Sequence, residues 1–296
     1  MKKYLIIGGA GFIGSHLSKA LLKDGNKVAV LDVAPFAYTQ IKTYKADIDD
    51  SKKVDKVFKK EKPDFVFHLA GPINLRRAII DPLFLNDINF LSRTKIILDA
   101  CNKSNVKKVI FLSSGGAIYE NAKEIPTKED YLAHPTSLYG MANLAIEKYI
   151  VLYCKNYTIA RLGNVYGPRQ WQSGFIPAMI IKMLKKESPV IYGSGNQTRD
   201  FIYIDDVVEA LIILAKKGEN GIYNVGSGKE ISLKKVFQLI KYLLDAKINP
   251  VYKNLNIQET QRSALDIKKI KKELGWQPKI TIKEGVKKTI EWYKKQ

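Results

Sequence analysis

The stretch SLYGMANLAIEKY, Ser137–Tyr149, places Tyr139 at what reads as the start of a helix. A phenol takes up a proton only as phenolate, and with an ordinary pKa of about 10 roughly one in a thousand is ionised at neutral pH. A cation one helical turn further along the same face would favour the charged form and make the tyrosine acidic. The residue at that position is Asn143, an amide without charge. Forgoing two pKa units of acidification corresponds to roughly 2.7 kcal/mol, or about a hundredfold in the reactive form. Lys148 is no substitute. It lies nine residues after Tyr139, about half a turn out of phase, and so projects from the opposite face. Two hydroxyls, Ser113 and Ser114, close an apolar run in KKVIFLSSGGAIYE, and Ser114 is a candidate hydrogen-bond partner for a reacting group.

A second set of residues suits a dinucleotide. In GGAGFIG, residues 8–14, Gly8, Gly11 and Gly14 have the G-x-x-G-x-x-G spacing, with Phe12 and Ile13 between the last two. Such glycines permit a tight turn and a close backbone approach to a pyrophosphate at a helix N-terminus. Asp32 stands about twenty residues on, at the end of the next apolar run, where a carboxylate accepts bonds from the adenosine ribose hydroxyls. It would repel a 2′-phosphate and no arginine follows it closely, which favours NAD over NADP. ADID then offers Asp47 and Ile48 to flank an adenine.

These residues need a frame. KYLIIG, KVAVLD, DFVFHLA and KKVIFLSS are short apolar runs of strand length. They alternate with helical patterns in FIGSHLSKALLKDG, closed by Gly25, around Ser51–Lys60 and over Pro82–Lys103. The alternation argues for an α/β fold, a doubly wound parallel sheet. After Pro168 the pattern loosens into a smaller, discontinuous lobe. There Phe175 to about Lys186 reads as helix and two amphipathic helices lie further on, while between them Asp205 and Asp206 start a helix of a segment that returns to the main domain, where negative charge suits the dipole. We expect a dinucleotide domain over 1–167 with a return segment at about 198–217, and a second lobe over 168–197 and 218–296.

At 296 residues, with 46% hydrophobic and 26% charged residues, the chain is long enough for two lobes and too apolar for disorder. No apolar run approaches a membrane span, and the glycine-broken N-terminus lacks the cleavage site of a signal peptide. Two cysteines, Cys101 and Cys154, show no metal spacing and suit reduced thiols in a cytoplasmic protein. The net charge of +20 is mostly lysine scattered on solvated helical faces, without the clustered arginines and aromatics of a nucleic-acid groove.

The ordered motifs GGAGFIGSHL, HLAG, Asn89 in NDINFL, VIFLSSGGAIYE, SLYGMANLAIEKY, ARLGNVYGPRQ, QTRDFIYIDDVVEA, IYNVGSG and KKELGWQPK run through nearly the whole chain. In them the sequence resembles the extended short-chain dehydrogenase/reductases, specifically the nucleotide-sugar epimerases and dehydratases of the UDP-glucose 4-epimerase type. The resemblance implies a Rossmann fold, bound NAD and a cofactor site of Gly8, Gly11, Phe12, Ile13, Gly14, Asp32, Asp47, Ile48, Leu69, Ala70, Asn89, Ser113, Tyr139 and Asn143. It implies chemistry through a transient ketone, with Tyr139 taking the sugar 4-hydroxyl proton as hydride passes to the nicotinamide. A lysine normally stands where Asn143 is, leaving a ribose donor but no charge. The usual helper hydroxyl falls on Gly115, and a threonine of some relatives on Ala117, so Ser114 inherits that role.

On the substrate side the resemblance assigns Asn164 and Arg199 to the phosphates and Phe175, Val190 and Tyr192 to the uracil or sugar. A second phosphate arginine aligns with Asn256, leaving Arg262 as the nearby cation; Arg169 and Arg76–Arg77 are other candidates. It also implies a cytoplasmic homodimer paired through Leu83–Lys103 and Thr136–Tyr153. The expectation is a UDP-hexose 4-epimerase with a nucleotide-sugar substrate and no metal, nucleic-acid or membrane partner. An inactivated variant, a slow natural enzyme and a non-catalytic NAD- and sugar-nucleotide-binding protein all remain compatible with Asn143, Gly115 and Ala117.

Overall fold

The computed structural model describes residues 1–36, 38–70, 90–170, 174–254 and 260–296. Asn89, Arg76, Arg77 and Asn256, named above, lie outside them, as does residues 83–89 of the expected dimer helix. The chain forms two compact units, the first from residues 1–118, 135–161 and 208–223, the second from 119–134, 162–207 and 224–296. The expected division therefore shifts. Residues 119–134, 162–167 and 198–207 go with the second unit and 218–223 with the first, and no crossing falls at Pro168.

The first unit is built on a sheet of β1 (Lys3–Ile7), β2 (Lys27–Asp32), β3 (Lys42–Lys45), β4 (Phe65–His68), β5 (Lys108–Ser114), β6 (Tyr157–Leu162) and β11 (Gly221–Val225). Its spatial order is β3-β2-β1-β4-β5-β6-β11, and β3 through β5 pair in parallel. The order reverses between β1 and β4, the switch point beside which open α/β sheets bind ligands, outside the carboxyl ends of the strands. The inner strands β1, β2 and β4 are buried along nearly their whole length, as parallel strands covered on both faces must be, whereas the edge strand β3 is largely exposed. Covering helices include α1 (Phe12–Lys23), α2 (Ser51–Glu61), α3 (Phe90–Lys103) and α5 (Leu138–Tyr153), with the short α4 (Gly115–Ile118) directly after β5. Cys101 and Cys154 are free thiols buried in this core. Burial pushes the His68 imidazole down to about 4, so it sits neutral in the sheet, its Nε2 3.3 Å from Thr94 Oγ1.

Helix α5 is anchored to β6 by a buried ion pair. Arg161 Nε lies 3.0 and 3.2 Å from the two Glu147 carboxylate oxygens and its Nη2 2.6 Å from Oε2, with both side chains almost wholly buried. The bidentate geometry satisfies both charges at once.

The second unit holds three short two-stranded ladders. β7 (Asn164–Tyr166) pairs with β10 (Phe201–Tyr203), β8 (Val190–Tyr192) with β13 (Val251–Lys253), and β9 (Thr198–Arg199) with β12 (Ile231–Ser232). It also holds helices α6 (Phe175–Leu184), α8 (Leu233–Leu243), α9 (Lys268–Leu274) and α10 (Ile282–Tyr293), and Tyr166, Phe237 and Trp276 are among its fully buried side chains. Helix α7 (Ile204–Lys217) carries Asp205 and Asp206 in its first turn, as expected. Asp206 does more than suit the dipole: its carboxylate is buried and accepts the Lys279 and Ile280 amides, each at 3.0 Å.

Removing one partner of a buried ion pair leaves an uncompensated charge, which costs about 3–5 kcal/mol. We expect Glu147→Gln to lower unfolding free energy in urea by that amount. Lys95→Ala, which breaks only the exposed Lys95–Asp99 pair of α3, should change it by less than about 0.5 kcal/mol.

Candidate active site

The carboxyl ends of β1, β2, β4 and β5 carry the residues singled out for a dinucleotide. Gly8 follows β1 with φ +80°, a left-handed conformation favouring glycine, and a Cβ there would come within 2.8 Å of the Ala70 nitrogen. Gly14 sits in the first turn of α1, where a Cβ would lie 2.5 Å from the Gly8 carbonyl oxygen. Between them Gly11 caps α1 without a side-chain bond, so the helix start formed by Phe12, Ile13 and Gly14 has no side-chain cap. Leu69 is fixed by its amide donating to the Ile7 carbonyl at 2.9 Å.

Asp32 ends β2 as a half-buried carboxylate, accepting the Ala10 amide on Oδ2 and the Ala34 amide on Oδ1, both at 2.9 Å. It is thereby aimed by the glycine loop itself. Asp47 and Ile48 follow β3, and Ala46 donates its amide to the Asp32 carbonyl at 3.0 Å, tying the two segments together. Ser113 Oγ is buried with no hydrogen-bond partner among the described residues. A buried hydroxyl without a partner carries a desolvation cost that a ligand group can relieve. A helix start without a side-chain cap, a carboxylate held at the next strand end and this hydroxyl together fit a dinucleotide.

Helix α5 delivers Tyr139. Ser137 caps the helix, accepting the Gly140 amide at 3.1 Å, so Tyr139 falls in the first turn. Gly140 lets that turn lie against the Ala117 carbonyl of α4; a Cβ would strike it and come within 2.7 Å of Pro135. The turn thus sits beside the end of β5, and the Ser114 and Asn143 side chains come close enough to the Tyr139 phenol to favour its ionised form. Ser114, Tyr139 and Asn143 are brought together here, with Gly115 and Ala117 forming part of α4 and offering no hydroxyl.

Burial pushes the Tyr139 phenol above its ordinary value, and these two neighbours act against that without reversing it. Asn143 is buried, and its Nδ2 donates 2.9 Å to the Tyr139 carbonyl one turn back. One of its two amide protons is therefore spent on the helix backbone. Lys148 is exposed on the far face of α5, as its phase requires.

In the second unit the substrate candidates are more committed than their types suggest. Arg199 Nη1 donates to the Thr198 and Thr260 carbonyls, both at 2.8 Å. Arg262 donates its fork to Glu230, Nε at 3.1 Å and Nη2 at 2.6 Å, and Glu230 also accepts the Thr198 hydroxyl. The Asn164 side chain is exposed while its amide donates 2.6 Å to the Asp200 carbonyl. Phe175, Val190, Tyr192 and Arg169 are half-buried.

Sequence reasoning missed Asp200. Its buried carboxylate accepts the Ser227 hydroxyl and the Ser227, Gly228 and Leu265 amides, which organises the loops beside Arg199. It lies inside the quoted QTRDF, but no local spacing announces partners up to 65 residues away.

The parallel sheet with its glycine turn and strand-end carboxylate defines a dinucleotide-binding enzyme fold. Residues 4–226 match the NAD dependent epimerase/dehydratase family, and the chain belongs to it, with NAD as its cofactor. A Methanocaldococcus jannaschii protein provisionally named a UDP-glucose 4-epimerase is 39% identical over 98% of both chains. The structure of a Thermotoga maritima UDP-glucose 4-epimerase with UDP-glucose superposes at TM-score 0.94, with 35% identity and 99% of each chain covered. A Thermus thermophilus UDP-glucose 4-epimerase in complex with NAD gives 0.92 and 30%, again over 99% of each chain. No helix among the described residues is long and apolar enough to cross a membrane.

The phenol state is directly measurable. In an alkaline ultraviolet titration, the signal lost in Tyr139→Phe should titrate above about 10, and Asn143→Lys should move it down by about two units. A parent Tyr139 titrating below 10 would contradict the charge balance described.

Proposed function

We propose that the protein is a 4-epimerase of a UDP-hexose, working through a transient 4-keto sugar. The observation that carries this reading is the grouping of Ser114, Tyr139 and Asn143 at the carboxyl end of β5. The likeness to epimerases named for UDP-glucose supports the substrate class. Bound NAD supplies a hydride acceptor and donor at the nicotinamide. Tyr139 takes the proton of the 4-hydroxyl and returns it, while the Ser114 hydroxyl holds the reacting oxygen. Asn143 shares its second amide proton between the Tyr139 phenol and the cofactor ribose. Arg199, Arg262 and Asn164 serve the diphosphate, with Arg262 exchanging Glu230 for phosphate, and Phe175, Val190 and Tyr192 line the uracil and sugar subsites.

Because the phenol is held above its ordinary value with no cation at position 143, the proposed turnover is slow at neutral pH and rises with alkalinity. The same observation favours a second reading, in which the chain binds NAD and nucleotide sugar without turnover. A dehydratase outcome on the same scaffold is distinguished by its product.

The reading includes a cytoplasmic homodimer. Leu138, Met141, Ala145 and Leu152 form one exposed stripe of α5, opposite the face bearing Tyr139, Asn143 and Glu147, and Leu152 is 81% exposed.

Incubation with UDP-galactose should yield UDP-glucose, and Asn143→Lys should raise the rate by up to about a hundredfold with little change in affinity for UDP. An unchanged or lower rate contradicts the proposed limit. In sedimentation, the parent should run as a dimer and Leu152→Glu as a monomer; a monomeric parent contradicts the pairing.

A further inference from the structure

The segment Ala46–Ser51, ADIDDS, joins β3 to α2 and carries three carboxylates within four residues. Each has a different task. Asp50 caps α2, its side chain accepting the Lys53 amide at 3.0 Å. Asp47 folds the turn, its Oδ1 accepting the Asp49 amide at 3.0 Å while its carbonyl accepts that of Asp50 at 3.1 Å. Ile48 is buried in the core. Asp49 is gripped from α3: Arg93 Nε lies 2.9 and 3.0 Å from its two oxygens, and Nη2 closes onto Oδ2. The same Nη2 is 3.8 Å from Asp47 Oδ1, and the arginine side chain is only 26% exposed.

Left alone, three adjacent carboxylates repel one another and the turn has no reason to hold one arrangement. The Arg93 fork cancels one charge, crosslinks the turn to α3 and draws Asp47 Oδ1 inward beside the Asp49 amide. With Oδ1 so engaged, the half-exposed Asp47 side chain keeps Oδ2 as its second acceptor, next to Ile48 and in the segment tied by Ala46 to Asp32.

We propose that Arg93 is a positioning residue for the cofactor's adenine: it holds the Asp47–Asp49 turn so that Asp47 accepts the exocyclic amino group. This rests on the reading that Asp47 and Ile48 flank the adenine. A carboxylate in that place favours adenine over a base with a carbonyl at the same position, which would meet it acceptor to acceptor.

The test is calorimetric titration of nucleotide-free chain with NAD and with nicotinamide hypoxanthine dinucleotide. One charge-assisted hydrogen bond predicts a parent preference for NAD of about tenfold or more. Asp47→Ala should abolish it. Arg93→Ala should bring it to within about twofold, while affinity for the hypoxanthine analogue and for UDP stays within about twofold of the parent. The analogue's affinity thereby also reports an intact fold. If Asp47→Ala abolishes the preference and Arg93→Ala preserves it, the role of Arg93 is overturned and the adenine reading stands. Equal weakening of both dinucleotides by Arg93→Ala would show a merely structural arginine, and also overturns the proposal. If Asp47→Ala keeps the preference, the adenine reading itself fails.

Discussion

The first turn of α5 has almost no freedom, and the chemistry of the first unit depends on that. Ser137 caps it, Gly140 lets it touch α4, and two turns on Glu147 is clamped by Arg161 of β6. A helix held at its start and along its inner face cannot rotate or slide without breaking a buried ion pair. Tyr139 is therefore fixed beside Ser114 at the end of β5, on the same edge of the sheet as the glycine turn and Asp32.

Fixing a phenol there has an electrostatic cost. Covering Tyr139 disfavours its ionised form, and two neutral polar neighbours offset that only in part. Asn143 fits the packing: it is buried and bonds the carbonyl one turn back, as a short amide on the inner face can. What it does not bring is charge. The scaffold is thus complete in shape while the acidity of its tyrosine is left to whatever positive charge a bound nicotinamide contributes.

The parts of this arrangement legible in the sequence are those whose partners are near in the chain or whose role needs one residue type. Gly8 and Gly14 announce themselves by spacing, Asp32 by its place after the second strand, and Tyr139 by a helix start four residues before Asn143. The helix phase alone places Lys148 on the wrong face, and it is exposed there. Pairings across long separations were not legible. Arg262 reads as a phosphate cation until Glu230, 32 residues away, is found in its fork. Arg161 and Glu147 look like an ordinary strand arginine and helix glutamate, and Asp200 like a loop acid. The division into units was misplaced for a related reason: Pro168 is a local signal, whereas compactness follows from which distant segments share a core.

The account turns on whether an un-ionised Tyr139 gates hydride movement. The most direct measurement is the near-ultraviolet absorbance of reduced nicotinamide after mixing the NAD-loaded protein with UDP-glucose or UDP-galactose at a series of pH values. The account predicts a slow rise whose initial rate grows about tenfold per pH unit from neutrality upward, following the phenolate fraction. A fast rise independent of pH would contradict it, as would a nucleotide sugar that binds yet reduces no nicotinamide at any pH.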